Sequence, residues 1–255
     1  MSYAEKKKVL DKLLTVYGRN AVLEALEERD IPAYRLHLAK SNRRGGSIDQ
    51  IIHLAEQRNI EIVNHTREQL SRISRNRRQD QGVALDLQCP HYGHYRDFLA
   101  EAPANYQLIA LDRITNPQNL GMVIRSICAS PIQGLLLPNK GCAPLSPLVI
   151  KASAGAIFRC PIYRCGDLSQ SLGEFIEAGA TVCTLSADAT QPLSSFKPHS
   201  PVIYVLGNET SGVSESLASL AQHQLSIPMC NGVESLNVAV TAALLAFREA
   251  ISTAD

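Results

Sequence analysis

The sequence predicts an α/β protein of two domains, the larger one built on a mostly parallel sheet. Three observations predict it. From residue 107 onward, short apolar runs alternate with helical segments, the pattern of buried strands with crossover helices on both faces. Before residue 89 strand-like and helix-like periods also alternate, over a stretch of about 75 residues that is large enough for a small domain. Between the two, residues 89–105 carry Pro90, Pro103 and mixed polarity and read as a linker.

The elements follow in chain order. Residues 1–14 are polar and Lys-rich and are expected to form a flexible arm. In a first domain, 15–88, a helix is expected over 19–28, with Val22, Leu23, Ala25 and Leu26 on one side. A strand over 34–38, a Gly-rich loop over 40–47 and an amphipathic helix over 48–58 come next. A strand over 60–63 precedes a helix over 66–73, opened by Thr66 with Gln69 three residues on, and a strand over 82–87 closes the unit. A short helix fits 95–100. In a second domain, 106–255, strands are expected over 107–111, 134–137, 160–163, 181–185, 202–206 and 224–227. Helices are expected over 120–129, 147–152, 168–177, 214–220 and 235–250.

Composition bounds the function. The chain has 255 residues, 45% hydrophobic and 19% charged, an ordinary balance for a soluble globular protein. No run is long enough to span a bilayer and the first residues lack the apolar core of a signal peptide, so a cytoplasmic location without membrane contact is expected. The seven cysteines form no Cys-x-x-Cys pair, which argues against a zinc site and against a disulfide frame. His91 and His94 stand without a further ligand nearby and read as surface residues, so no metal is expected. Charge is uneven: residues 1–90 carry +4 and the remainder −3. Arg43 and Arg44, then Arg72, Arg75, Arg77 and Arg78, are either a solvated face or a surface for phosphates, which guanidinium groups match bidentately.

Ligands of parallel sheets bind outside the carboxyl ends of the strands, and three polar, Gly-bearing segments fall there. In the first, 112–125, Pro117 and Asn119 mark a helix start. Asn119 and Arg125 lie about 240° apart on a helix, so they converge only if Asn119 precedes it. Arg125, among Val123, Ile124 and Ile127, is expected to be half-buried, as a structural ion pair or as an anion contact. In the second, 207–212, Glu209 leaves a strand end between two glycines and serves either as a helix cap or as a ligand-facing group. The third, 229–237, carries the turn Asn231-Gly232 and ends in Ser235 and Asn237 at a helix start, as caps or as a pocket wall. No Gly-x-Gly-x-x-Gly follows a strand and no Walker-type loop is present, which disfavours an NAD oxidoreductase and a nucleoside triphosphatase.

Asn-Pro-x-Asn-x-Gly-x-x-x-Arg (116–125), Gly-Asn-Glu-x-x-Gly (207–212) and Ile-Pro-Met followed by Ser-Leu-Asn-Val (227–238) resemble the three motifs of the SPOUT-class RNA ribose 2′-O-methyltransferases. Residues 106–250 resemble the catalytic domain. Residues 15–88, with Val16-Tyr-Gly at the start and Gln81-Gly82 near the end, resemble the small ribosomal-protein-like RNA-binding domain of the bacterial 23S rRNA guanosine-2′-O-methyltransferases. The usual His before Gln-Gly is Asp80 here. The resemblance implies a trefoil-knotted sheet domain and a homodimer with the C-terminal helix in its interface. It implies S-adenosylmethionine as cofactor, held by Gly207, Ile227 and Leu236 through backbone, with Ser186 and Met229 lining the pocket. Asn119, Arg125, Glu209 and Asn237, with Ser235 nearby, would form the reaction centre. A tRNA substrate and a non-catalytic RNA-binding assembly factor are the alternatives.

Overall fold

The computed structural model describes residues 12–43, 45–89, 91–198 and 201–252. These fall into two compact units, one of residues up to 89 with 145–151, the other of 91–144 with 152–252. The arm expected over 1–14 lies outside the described residues as far as residue 11.

In the first unit the order is β1 (Leu13–Tyr17), α1 (Arg19–Glu27), β2 (Ala33–Ala39), α2 (Ser47–Gln57), β3 (Glu61–His65), α3 (Arg67–Ser74) and β4 (Val83–Gln88). The sheet order is β1–β4–β2–β3, with β4 antiparallel to both neighbours and β2 parallel to β3. Strand β1 was not expected. Its short alternation buries only Leu14 and Val16, and Lys-rich sequence before it hides that period. Helix α2 buries Ile48, Ile51, Ile52 and Ala55, the spacing of a single apolar face. Helix α3 begins where Thr66 and Gln69 form the expected capping box, and it ends at Arg75 in the left-handed region (φ 54).

The second unit contains β5 (Tyr92–His94), α4 (Tyr95–Ala100), β6 (Gln107–Leu111), α5 (Pro117–Cys128) and β7 (Gly134–Pro138). After α6 (Pro147–Ala152), whose residues up to Lys151 belong to the first unit, come β8 (Ile162–Cys165), α7 (Leu168–Glu177), β9 (Thr181–Leu185), β10 (Gln191–Pro192), β11 (Val202–Leu206), α8 (Glu215–Ala218), β12 (His223–Ser226) and α9 (Val238–Ser252). Its eight strands run β10–β12–β9–β11–β6–β7–β8–β5, every pair parallel. The six expected strands are present, and β5 and β10 extend the two edges. Strand β11 is buried over its whole length between β9 and β6. On one side Leu168, Leu172 and Phe175 of α7 pack with Tyr95, Tyr106 and Val205. Helices α5 and α9 begin three residues away from the expected positions, in opposite directions. Asn116 caps α5 with Pro117 in its first turn, a place where the missing N–H costs nothing. Asn237 caps α9, so Ser235 and Leu236 remain outside the helix.

A polar chain, buried at its centre, crosses the sheet of the first unit. Thr15 Oγ donates to Asp86 Oδ1 (2.6 Å), Asp86 Oδ2 meets His37 Nε2 (2.9 Å), and His37 Nδ1 meets His65 Nε2 (2.9 Å). With both rings neutral, His37 donates to the carboxylate and accepts from His65. A second proton on this pair would leave two N–H groups facing each other. Partial burial, then His37 and Arg35, hold His65 below its ordinary imidazole value. A base with a depressed folded-state value favours the fold while neutral, and that contribution is lost as pH falls below the ordinary value near 6.5. The chain is therefore expected to lose urea resistance between pH 7.5 and 5, and His65→Gln, which keeps an N–H toward His37, to lose less. Equal losses in both proteins would contradict this assignment.

Candidate active site

Because β12, β9 and β11 are parallel neighbours in register, their carboxyl ends form one row. Leu225 stands opposite Leu185, Thr184 opposite Val205, and the Ser186 N–H donates to Leu225 O (3.0 Å). Ser186, Gly207 and Ile227, the residues that follow these strands, therefore share one edge of the sheet. The segment 227–237 beyond β12 has no regular structure. Ile227, Met229 and Leu236 are half-buried there, and the backbone N–H groups of Met229 and Leu236 make no hydrogen bond among the described residues. The Ser186 hydroxyl accepts from Asp188 N (3.3 Å) in a turn.

Three of the five expected reaction-centre residues are joined. Asn119, only 6% exposed, occupies the first turn of α5 because Asn116 Oδ1 accepts from Gln118 N (2.8 Å) and Asn119 N (3.3 Å). The Asn119 amide nitrogen donates to Glu209 Oε1, and its oxygen accepts from Asn237 Nδ2 (3.2 Å). Asn237 Oδ1 in turn accepts from Ala239 N (2.8 Å), capping α9. One amide thus ties the loops after β6, β11 and β12. Glu209 bonds across to Asn119, a use beyond either cap or free group.

Arg125 is not part of this cluster. Asn119 lies inside α5, so the 240° separation holds, and Arg125 is exposed where half-burial was expected. The apolar neighbours in sequence turn inward at 123, 124 and 127, whereas Arg125 shares the outer face with Gln118, Met122 and Ala129. Ser235 is also exposed and outside the hydrogen-bonded chain. Of the arginines expected to meet RNA, Arg43, Arg72, Arg75, Arg77 and Arg78 are exposed on the first unit, and Arg44 lies outside the described residues.

Residues that the sequence reading did not single out lace these loops together. Asp112, 8% exposed, accepts from Ser214 N (2.7 Å) and from Arg113 Nε (3.3 Å). Arg113 takes φ 58 and its Nη2 donates to Gly212 O (3.2 Å), while Asn208 Nδ2 donates to Arg113 O (3.1 Å). Asn208 and Gly212 also exchange backbone hydrogen bonds (3.1 and 2.8 Å), which closes the loop on itself. The available signal was a charged pair placed directly at the end of a buried strand.

Gly207 is required by that closure. A Cβ there would lie 2.2 Å from Gly212 C and from Val213 N, inside any tolerated contact. The close approach expected from a ligand is made first by the loop's own backbone. Gly207→Ala is expected to cost about 1–3 kcal/mol, as for other overpacked sites, read as a lower thermal midpoint. An unchanged midpoint would show that the loop is not closed in this way.

The comparisons with known proteins place the chain in a family. Residues 106–247 match the sequence model of the SpoU rRNA Methylase family, and residues 15–93 match that described as RNA 2′-O ribose methyltransferase substrate binding. An uncharacterized tRNA/rRNA methyltransferase of Mycolicibacterium vanbaalenii is 33% identical over 243 residues, 94% of this chain and 77% of that one. Among solved structures, an AdoMet-bound rRNA methyltransferase from Sinorhizobium meliloti superposes with a TM-score of 0.63 at 21% identity, covering 98% of this chain and 92% of that one. The SpoU methyltransferase AviRb from Streptomyces viridochromogenes, in complex with AdoMet, gives 0.61 at 22% identity, covering 96% and 94%. With more than half of its length matched and three motif segments gathered at one sheet edge, this chain belongs to the SpoU rRNA methylase family and is an RNA methyltransferase of that class.

Proposed function

We propose that this enzyme moves a methyl group from S-adenosylmethionine to a ribose 2′-hydroxyl of RNA, a guanosine of 23S rRNA, and works as a cytoplasmic homodimer on a trefoil-knotted catalytic domain. The observation that carries the reading is the Glu209–Asn119–Asn237 chain at the carboxyl edge of the sheet. The row of Ser186, Gly207 and Ile227 supports the cofactor, since backbone groups left unpaired near Met229 and Leu236 suit the polar parts of a nucleoside and half-buried apolar side chains suit the rest. When bound, the cofactor supplies a methyl group on a sulfonium, an already activated electrophile.

The protein's task is then to position the hydroxyl and manage its charge. The ribose hydroxyl has to give up its proton as it attacks the methyl carbon, and the negative charge left on its oxygen as that proton departs is what the site has to hold. Glu209, Asn119 and Asn237 hold one another in fixed orientations, so little reorganisation is needed during reaction. Arg125 carries a guanidinium that stays protonated, so its role in this reading is to stabilise the developing alkoxide or to grip the target phosphate. In one chain it faces outward beside Met122. Helix α9 likewise exposes Val240, Leu244 and Ile251, an apolar row at near-helical spacing. In this reading a homodimer covers this row, and the reaction centre takes its Arg125 from the second copy.

The test is transfer of labelled methyl to purified rRNA and tRNA, followed by nucleoside digestion. Expected are 2′-O-methylguanosine from 23S rRNA, severe loss in Arg125→Ala, and partial activity in Arg125→Lys. Label on tRNA alone would overturn the substrate. Full activity of Arg125→Ala would remove that residue from the mechanism.

A further inference from the structure

Three arginines that follow three separate strands of the first unit meet at one cleft. It measures about 730 Å³ and is lined by Arg19, Arg43 and Arg67 together with Asn42, Gly45 and Gln81. Among the described residues, no carboxylate lines it. Arg19 opens α1 after β1, Arg43 follows β2, and Arg67 opens α3 after β3, so the cleft lies at the common carboxyl edge of three strands.

A buried carboxylate builds this arrangement. Asp80, 0% exposed, accepts from Gly82 N (2.9 Å) and Ser74 Oγ (3.0 Å) and pairs with Arg67 (3.5 Å). These bonds fix a turn with Gln81 at φ 50 and Gly82 at φ 80. Gln81 then accepts from Arg19 twice, its Oε1 from the backbone N–H (2.9 Å) and its carbonyl from Nε (3.4 Å). Asn42 Nδ2 closes the floor by donating to Gly82 O (2.7 Å). Arg43 makes no hydrogen bond or ion pair among the described residues. One carboxylate therefore sets two guanidinium groups, and the third is uncommitted.

Guanidinium groups cannot shed their charge, so three of them around one buried carboxylate leave an excess of two positive charges. An anion in the cleft offsets that repulsion, and the fork geometry matches phosphate oxygens. The positive edge also continues beyond the cleft. Asn76 Nδ2 donates to Tyr17 Oη (3.2 Å), which ties the turn bearing Arg75, Arg77 and Arg78 to the end of β1. A line of charge longer than one cleft fits a polyanion better than a lone phosphate.

We infer that the Arg19–Arg43–Arg67 cleft holds consecutive backbone phosphates of the RNA substrate, with Asp80 as its positioning residue. This rests on the RNA-methyltransferase reading and adds the place where the first unit grips the chain. Phosphate contacts set affinity and register and carry no base information, so the cleft governs how tightly RNA is held and leaves the choice of nucleotide to the catalytic unit.

The test is binding of the full chain to a labelled 23S rRNA fragment across a salt series. Arg43→Ala, which removes nothing that holds the fold, is expected to weaken binding roughly tenfold. It should lower the slope of log K against log salt by about 0.7 per lost single-strand phosphate contact. Asp80→Asn should lower that slope as well, whereas Arg29→Gln in the loop after α1 should leave it unchanged. Inorganic phosphate should displace RNA better than chloride at equal ionic strength and lose that advantage in Arg43→Ala; an Arg43→Ala protein that binds phosphate more weakly but keeps its RNA affinity and salt slope would assign the cleft to a free anion and overturn the inference. Arg43→Ala and Arg19→Gln/Arg43→Ala with unchanged affinity and slope, in a protein that still methylates RNA, would overturn it alone. A wild-type chain that neither binds nor methylates any RNA would remove the reading on which it rests.

Discussion

A buried side-chain amide is tolerated only when an acceptor and a donor meet its two ends. Asn119 satisfies that condition through Glu209 on one side and Asn237 on the other. Its partners are 90 and 118 residues away in sequence, on loops that leave different strands. Much of the catalytic unit can be understood as the means of bringing these three loops together. A sheet whose strands are all parallel delivers its strand ends to one edge, and adjacent placement of β11 and β6 sets the loops bearing Glu209 and Asn119 side by side. Asn116 and Pro117 fix the first turn of α5, so Asn119 points inward and not into solvent.

The lacing beneath this link gives it rigidity. Asp112 holds the start of the segment before α8, Arg113 reaches Gly212, and Asn208 reaches back to Arg113. Each of these groups is polar and close to the end of a buried strand, where an unmet partner would cost about 1–3 kcal/mol. The bare backbone of Gly207 allows the loop to close so tightly. A cluster of this kind is prearranged, which is what the proposed reaction on an already activated methyl group requires.

Much of this was legible in the sequence, for physical reasons that differ from element to element. Strands β6, β9 and β11 and helix α7 fall at their expected bounds because continuous apolar runs and a clear 3.6-residue period leave few other solutions. The capping box at Thr66 and Gln69 was legible from two residues. The edge strands β5 and β10 were not, since a strand of two or three residues has too short a period to detect. The burial of Arg125 was misjudged because neighbours along the chain are not neighbours around a helix. The lacing of Asp112 and Asn208 and the cradle set by Asp80 depend on pairings between distant loops, which no local pattern records. The family motifs brought Asn119, Glu209 and Asn237 forward, yet only the fold shows that they are hydrogen-bonded as one chain.

The central claim is that these three side chains act as a unit in methyl transfer. A double-mutant cycle on kcat/KM, with Asn119→Ala, Glu209→Ala and the pair, tests it most directly. The account predicts strong non-additivity, with the double variant little worse than the more damaged single one. Losses that simply multiply would show two independent contributions and would contradict it.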